Sequence, residues 1–243
     1  FAPLEAVTLR TAYFQTLGGS PASNLDSLEP SFVSGFEQAL DDVFGGTTGE
    51  HAAVGLDFKV PNLAYTGVEL VKSRFDSPIR SVTTTLEVDD GFSVVGSSES
   101  VAQALGTSDS RRFRAYHYQV LSKQLVAGLT YTLREDDLDF QATSADTHRG
   151  VGSLNWFHPR GYVLFGNLTW RDQTLRGFGE RFDGSNDFWT VDVGASYLLP
   201  KRHGSVTVGI QNLLDRSFEY EGFGNDIQPL PNINGFVKLS LNF

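Results

Sequence analysis

Residues 189–199 alternate without a break. Trp189, Val191, Val193, Ala195, Tyr197 and Leu199 share one parity, and Thr190, Asp192, Gly194 and Ser196 share the other. A side-chain period of two is that of a β-strand with one apolar and one polar face. The pattern returns in Val206, Val208 and Ile210 against Ser205, Thr207, Gly209 and Gln211. It returns in Leu125, Ala127, Leu129, Tyr131 and Leu133 against Gly128, Thr130, Thr132 and Arg134. Tyr162, Leu164, Leu168 and Trp170 stand against Asn167, Thr169 and Arg171, and Ala52, Val54, Leu56, Phe58 and Val60 against Gly55, Asp57 and Lys59. Weaker alternation marks strands near 5–17, 64–76, 111–121 and 149–157, and a last one fills 233–243, about ten in all.

The connections alternate in length. Residues 61–63, 122–124, 158–161 and 200–204 are tight turns, whereas 18–49, 77–110, 135–147, 175–187 and 220–231 are long and polar. Short turns at one end and long loops at the other are the asymmetry of an outer-membrane barrel, with turns in the periplasm and loops outside the cell. The expected fold is therefore all-β: an antiparallel up-and-down transmembrane barrel over 1–243, either whole or the C-terminal portion of a larger barrel. Its last strand is expected to close against the first. A soluble β-sandwich is the competing architecture, in which the apolar faces would be sealed between two sheets.

Composition permits this reading and removes others. No apolar run reaches the roughly 18 residues that a membrane helix needs. Cysteine is absent, which excludes disulfides, thiolate metal sites and a cysteine nucleophile. The net charge of -10 argues against nucleic acid as a partner, since phosphates call for a basic face. Much of that charge falls in the long loops, in Asp26, Glu29, Glu37, Asp41 and Asp42 and in Glu87, Asp89, Asp90, Glu99 and Asp109. Methionine is absent and the chain starts at Phe1, so the expectation is a removed signal peptide or further sequence upstream. Trp156, Phe157, Tyr162, Trp170, Trp189 and Tyr197 flank strand ends, where a barrel places its aromatic girdles.

If the apolar faces look outward, the lumen carries Arg10, Asp57, Lys59, Glu69, His117, Arg134, Asn155, Asn167, Arg171, Asp192, Gln211 and Lys238. Both signs occur, so charge pairs bracing the wall are expected rather than a single-sign selectivity ring. Residues 30–44 read as a short helix in the first long loop. Pro30 suits a first turn, Phe32, Phe36, Ala39, Leu40 and Val43 recur at helical spacing, and Gly45-Gly46 ends the run. Such a helix would constrict the lumen, cover its mouth or pack on other loops. Catalysis is not expected. Asp136-Asp137 with His148, or Asp89-Asp90, could imitate an acidic protease pair, but no His–Ser spacing or histidine ligand pattern stands out. No cofactor and no metal are expected.

The ending GFVKLSLNF (235–243) puts Val237, Leu239, Leu241 and Phe243 on one face. A terminal aromatic after such alternation resembles the signal by which barrel-assembly machinery recognises outer-membrane proteins. VTVGIQNLLDRSFEY (206–220) looks like the penultimate strand of TonB-dependent receptors, where a Gly-x-Gln/Asn-Asn-Leu-x-Asp segment recurs, here Gly209, Gln211, Asn212, Leu213 and Asp215. That resemblance covers the last 40–55 residues and implies a barrel with a transport lumen. LEPSFVSGFEQALDD (28–42) is similar, more loosely, to barrels that follow tetratricopeptide repeats in outer-membrane proteins linked to export of surface material.

The resulting expectation is a pore or transport barrel passing solutes or exported material across the outer membrane of a Gram-negative-type envelope. The alternatives are the C-terminal barrel of a TonB-dependent uptake receptor and a barrel anchoring a periplasmic or surface assembly. The partners expected are outer-membrane lipid and lipopolysaccharide, the barrel-assembly machinery, and an N-terminal or separate periplasmic partner.

Overall fold

A computed structural model describes residues 6–17, 32–33, 36–37, 47–61, 63–88, 94–138, 143–177, 183–200, 203–216, 219–221, 227–229 and 232–241. Ten strands form one antiparallel sheet. They are β1 (Val7–Leu17), β4 (Thr48–Val60), β5 (Ala64–Val88), β6 (Val94–Val120), β7 (Leu125–Leu138), β8 (Thr143–Phe157), β9 (Tyr162–Arg176), β10 (Gly184–Leu198), β11 (Gly204–Gln211) and β14 (Asn234–Leu241). Each pairs with its sequence neighbours in the set, so the sheet is a meander. Two small hairpins stand apart, β2 (Phe32–Val33) with β3 (Phe36–Glu37) and β12 (Glu219–Glu221) with β13 (Ile227–Pro229).

The two sides of the sheet differ as the alternation requires. Along β4 buried and exposed residues interchange almost strictly, with His51, Ala53 and Asp57 buried and Val54 and Phe58 exposed. We call the side of His51 and Asp57 the inner face. The registers carry that side across all ten strands, and among the described residues the only shift lies between Glu87 and Val88. On the outer face Leu239 is 60% and Val237 76% exposed, and no second large sheet covers them among the described residues. The sandwich, which would seal these side chains away, is not the architecture.

Three expectations need correction. The sheet is not closed: β1 and β14 are its two edges, with no ladder between them. Closure needs enough stagger between neighbouring strands to bring the first beside the last, and β14 pairs with β11 alone. Phe243 lies outside the described residues.

Second, 77–110 is mostly paired strand rather than loop. β5 and β6 continue as a two-stranded arm, Ser77 opposite Gly106 through to Glu87 opposite Gly96. The run Ser81-Val82-Thr83-Thr84-Thr85 is rich in β-branched residues, which suit extended backbone even where neither side needs to be apolar. β7–β8 and β9–β10 likewise reach into the expected loops, ending at Leu138 and Arg176 and restarting at Thr143 and Gly184.

Third, the described part of 30–44 is β2–β3, with Phe32 opposite Glu37 and Val33 opposite Phe36. The helical spacing of phenylalanines is overridden by tertiary burial: Phe36 has no exposed surface and packs with Ala53 and Val71 of the inner face.

Candidate functional site

The inner face is organised around Arg10. From β1 its Nε donates to Asp57 Oδ2 of β4 at 2.6 Å, and its Nη2 donates to Glu69 Oε1 of β5 at 2.7 Å. The same Nη2 lies 3.1 Å from the hydroxyl of Tyr116 on β6, which itself donates to Asp57. Arg114 closes the group, 3.6 Å from Glu69 Oε2 and over the Tyr116 ring at 5.1 Å. Two guanidinium groups and two carboxylates thus neutralise one another across four adjacent strands. Charged hydrogen bonds of this kind are stronger than neutral ones, so the group staples β1, β4, β5 and β6 side by side.

Residues without side chains make room for it. A Cβ on Gly67 would run into the Tyr116 hydroxyl, and one on Gly55 would come 3.1 Å from Arg10 Nη2 and 3.3 Å from the Phe36 ring. Over this group sits Phe36, its ring centroid 4.7 Å from Arg10 Cζ, a cation–π arrangement. The β2–β3 hairpin therefore places an apolar side chain on a charged floor.

Towards the long-loop end His51 continues the network. It is 1% exposed, with Nε2 2.9 Å from Thr16 Oγ1 and Nδ1 2.8 Å from Ser73 Oγ. Its ring stacks on Phe14 at 4.6 Å and meets the edge of Phe75 at 5.4 Å. Both ring nitrogens are taken by hydroxyls, so His51 acts as a structural bridge.

The registers put Arg10, Asp57, Lys59, Glu69, Arg134, Asn155, Asn167, Arg171, Asp192, Gln211 and Lys238 on the inner face, as alternation implies. His117 is the exception. It stands opposite Leu129 on the outer face, with Nδ1 2.6 Å from Thr66 Oγ1. In RRFRAYHYQV (111–120) charged and aromatic residues occupy both parities, so the pattern does not say which side is wet. Tyr116 turns inward to reach Asp57, and His117 is carried outward. Of the expected set, Arg10, Asp57 and Glu69 come together here, and Asn167 and Asp192 stand directly opposite one another elsewhere on the face. Arg114, Tyr116 and His51, which the sequence did not single out, and Phe36, which its spacing placed in a helix, complete the cluster.

The protease-like constellation does not assemble. Asp136 is on the inner face with its carboxylate 2.8 Å from Arg134 Nε. Asp137 and His148 are on the outer face, but Asp137 opposes Ser144, four residues along β8 from His148, or about 13 Å. His148 instead meets the Tyr131 hydroxyl at 2.7 Å. Asp89-Asp90 lies outside the described residues. Among the described residues no three of His, Asp and Glu are grouped closely enough to hold a metal ion.

The segment Gly209–Asp215 forms a built corner. The Phe236 ring covers Gly209, where a Cβ would lie 2.6 Å from Cε1. Asn212 and Asp215 both adopt φ of 50°, a left-handed conformation that Asn and Asp tolerate better than most residues. The Asn212 amide donates to Asp192 Oδ1 at 2.9 Å, its Nδ2 donates to the Arg216 carbonyl at 2.8 Å, and Asp215 Oδ1 accepts from the Ile233 amide at 3.0 Å.

The outer face carries the second ordered feature. Outward-pointing residues of Ala52–Val60 on β4, Leu125–Leu133 on β7, Tyr162–Trp170 on β9 and Trp189–Tyr197 on β10 span nine residues each. Across the whole sheet this band holds no Asp, Glu, Lys or Arg on the outer face among the described residues. Its long-loop border is abrupt: the next outward residues are Glu50, Lys72, Arg111, Glu135, Asp172 and Asp187. Trp170 and Trp189 pair at that border with ring centroids 6.4 Å apart. Tyr162 and Tyr197 pair at the short-turn border at 4.8 Å.

Comparison with protein-family models, with curated proteins and with solved structures gives no match.

Proposed function

We propose that the sheet is the wall of an outer-membrane transport barrel, its outer face in lipid and its inner face lining a passage for solutes or exported material. The uncharged outer band carries this reading. Nine residues at about 3.3 Å each, tilted by roughly 40°, give a height of about 23 Å, close to the apolar band of barrels that cross the outer membrane. Aromatic pairs at both borders fit headgroup-level girdles. On this reading the two open edges receive further strands of a larger barrel, since unpaired backbone in hydrocarbon costs several kcal/mol per group. The Phe36 hairpin then narrows the passage, and the neutral Arg10 group braces the wall rather than selecting charge.

Kinship with TonB-dependent barrels is the specific version of this reading; of the residues that carry the resemblance, Asn212 and Asp215 hold the Gly209–Asp215 corner. Expression of the full open reading frame with membrane fractionation tests the location, and planar-bilayer recording tests the passage. Conductance that rises when 18–46 is deleted is expected; recovery in the soluble fraction without detergent overturns the proposal.

A further inference from the structure

Lys72 and Arg111 stand directly opposite one another on β5 and β6, both pointing out from the sheet at the border of the uncharged band. Like charges in directly opposed positions destabilise a sheet, because their Cβ atoms are only about 5 Å apart. The neighbouring carboxylate does little to relieve this. Glu135 comes no nearer to Arg111 than 4.0 Å, with both side chains largely in solvent. Lys72 has no ion-pair or hydrogen-bond partner among the described residues.

Elsewhere this border is acidic, with Asp146, Asp172 and Asp187 on β8 to β10, and Arg176 there is paired to Asp146 at 2.9 Å. On β5 and β6 the border itself carries Lys72 and Arg111; one step further out Arg74 stands between Glu50 and Asp109, 3.9 Å from Asp76 Oδ1. Beside Lys72 and Arg111 lies a concavity of about 540 Å³ whose outward-pointing lining is Ala52, Val54, Leu70, Phe113 and Leu133, with Glu135 at its edge next to Arg111. One directly opposed lysine–arginine pair and an apolar trough adjoin within one patch.

We propose that this patch binds a membrane lipid with a phosphorylated headgroup, the phosphate bridging Lys72 and Arg111 and an acyl chain lying in the trough. An anion between the two cations turns a repulsive pair into two charge-assisted contacts. The trough gives the chain apolar cover that a free phosphate ion could not use. The position matches the depth at which a headgroup meets its chains, at the end of the band. The proposal rests on the membrane reading above.

The test uses the full chain, reconstituted in nanodiscs of phosphatidylcholine and titrated with phosphatidylglycerol or diphosphorylated lipid A, with bound lipid counted by native mass spectrometry. Lys72→Gln with Arg111→Gln is expected to weaken retention of the phosphorylated lipid at least ~10-fold, the equivalent of about 1.4 kcal/mol. Lys123→Gln with Arg160→Gln, at the opposite end of the strands, is expected to leave it unchanged. Equal retention by the wild type and the Lys72/Arg111 variant overturns the site, as does retention that inorganic phosphate competes away at equal molarity. If the chain does not enter nanodiscs at all, the membrane reading falls first and takes the site with it. Insertion without lipid preference sinks the site alone.

Discussion

The hydroxyl of Tyr116 reaches Asp57 across the space that Gly67 leaves open on the strand between them. Asp57 and Tyr116 are two strands apart, on β4 and β6, and Gly67 is the register partner of both. The contact exists because the residue between them has no side chain. Gly67→Val is therefore expected to cost about 1–3 kcal/mol, the usual penalty for overfilling a packed site. A lower urea midpoint with unchanged slope is the readout. An unchanged midpoint would mean that Tyr116 has room to swing aside.

Arg10 bonds Asp57 and Glu69 at once, so the worth of either pair depends on the other. Removing one carboxylate leaves the guanidinium with the second, whereas removing Arg10 leaves two buried carboxylates facing each other. Arg10→Met is expected to destabilise more than Asp57→Asn. A double-mutant cycle should return a coupling of about 0.5–3 kcal/mol, as for residues that share a network. Strict additivity of the two substitutions would show that the bonds contribute nothing jointly.

Phe36 sits fully buried against Ala53 and Val71 with Arg10 beneath it. Truncating a buried phenylalanine removes about 3 kcal/mol of burial, enough to free a short hairpin. Phe36→Ala is expected to lower the unfolding temperature by up to about 10 °C and to raise single-channel conductance in planar bilayers. Phe36→Leu, which keeps most of the apolar volume, should fall between the two. Equal conductance for all three proteins would remove the hairpin from the passage.

The legible part of this fold was the part with an apolar face to show. β4, β7, β9, β10, β11 and β14 were readable because each has outward Val, Leu, Ile or aromatic residues opposed by polar ones, and a one-residue slip would invert every side chain. The β5–β6 arm was not, since Ser81, Thr83, Thr84 and Thr85 offer no contrast between faces once the band has ended. His117 failed for the opposite reason: Arg111, Arg112, Arg114, Tyr116 and Tyr118 leave both parities mixed. Phe36 was seen as one turn of a helix because local spacing carries no information about the sheet it lands on. The Arg10 cluster has the same character, for residues 47, 59 and 106 positions apart meet only through the strand order.

Asn212 holds the corner where β11 ends, buried and in left-handed conformation, bonded to the chain on both sides. Asn212→Ala loses the side-chain bonds to Arg216 and places a Cβ-bearing residue without Asn's local compensation at positive φ. A cost of about 1–3 kcal/mol is expected. Asn212→Gly, which relieves the backbone but still loses the bonds, should recover part of it. Unfolding midpoints of the three proteins in one detergent check this, and a glycine variant no better than alanine would assign the whole cost to the side chain.

Leu154 decides what lies against the outer face. It stands in the middle of the uncharged band on β8, 49% exposed, with Ala127 and Gly166 as its register neighbours. In water, replacing so exposed a leucine by arginine is a surface change, worth at most about 0.5 kcal/mol either way. Against hydrocarbon the same guanidinium near the bilayer midplane costs about 2–4 kcal/mol. Asp187→Arg, just beyond the Trp189 border, should cost little in either case. Reversible unfolding from phospholipid vesicles is expected to show a large loss for Leu154→Arg and almost none for Asp187→Arg, because depth rather than charge alone sets the penalty. Two small and equal effects would mean that water, not lipid, wets this side of the sheet.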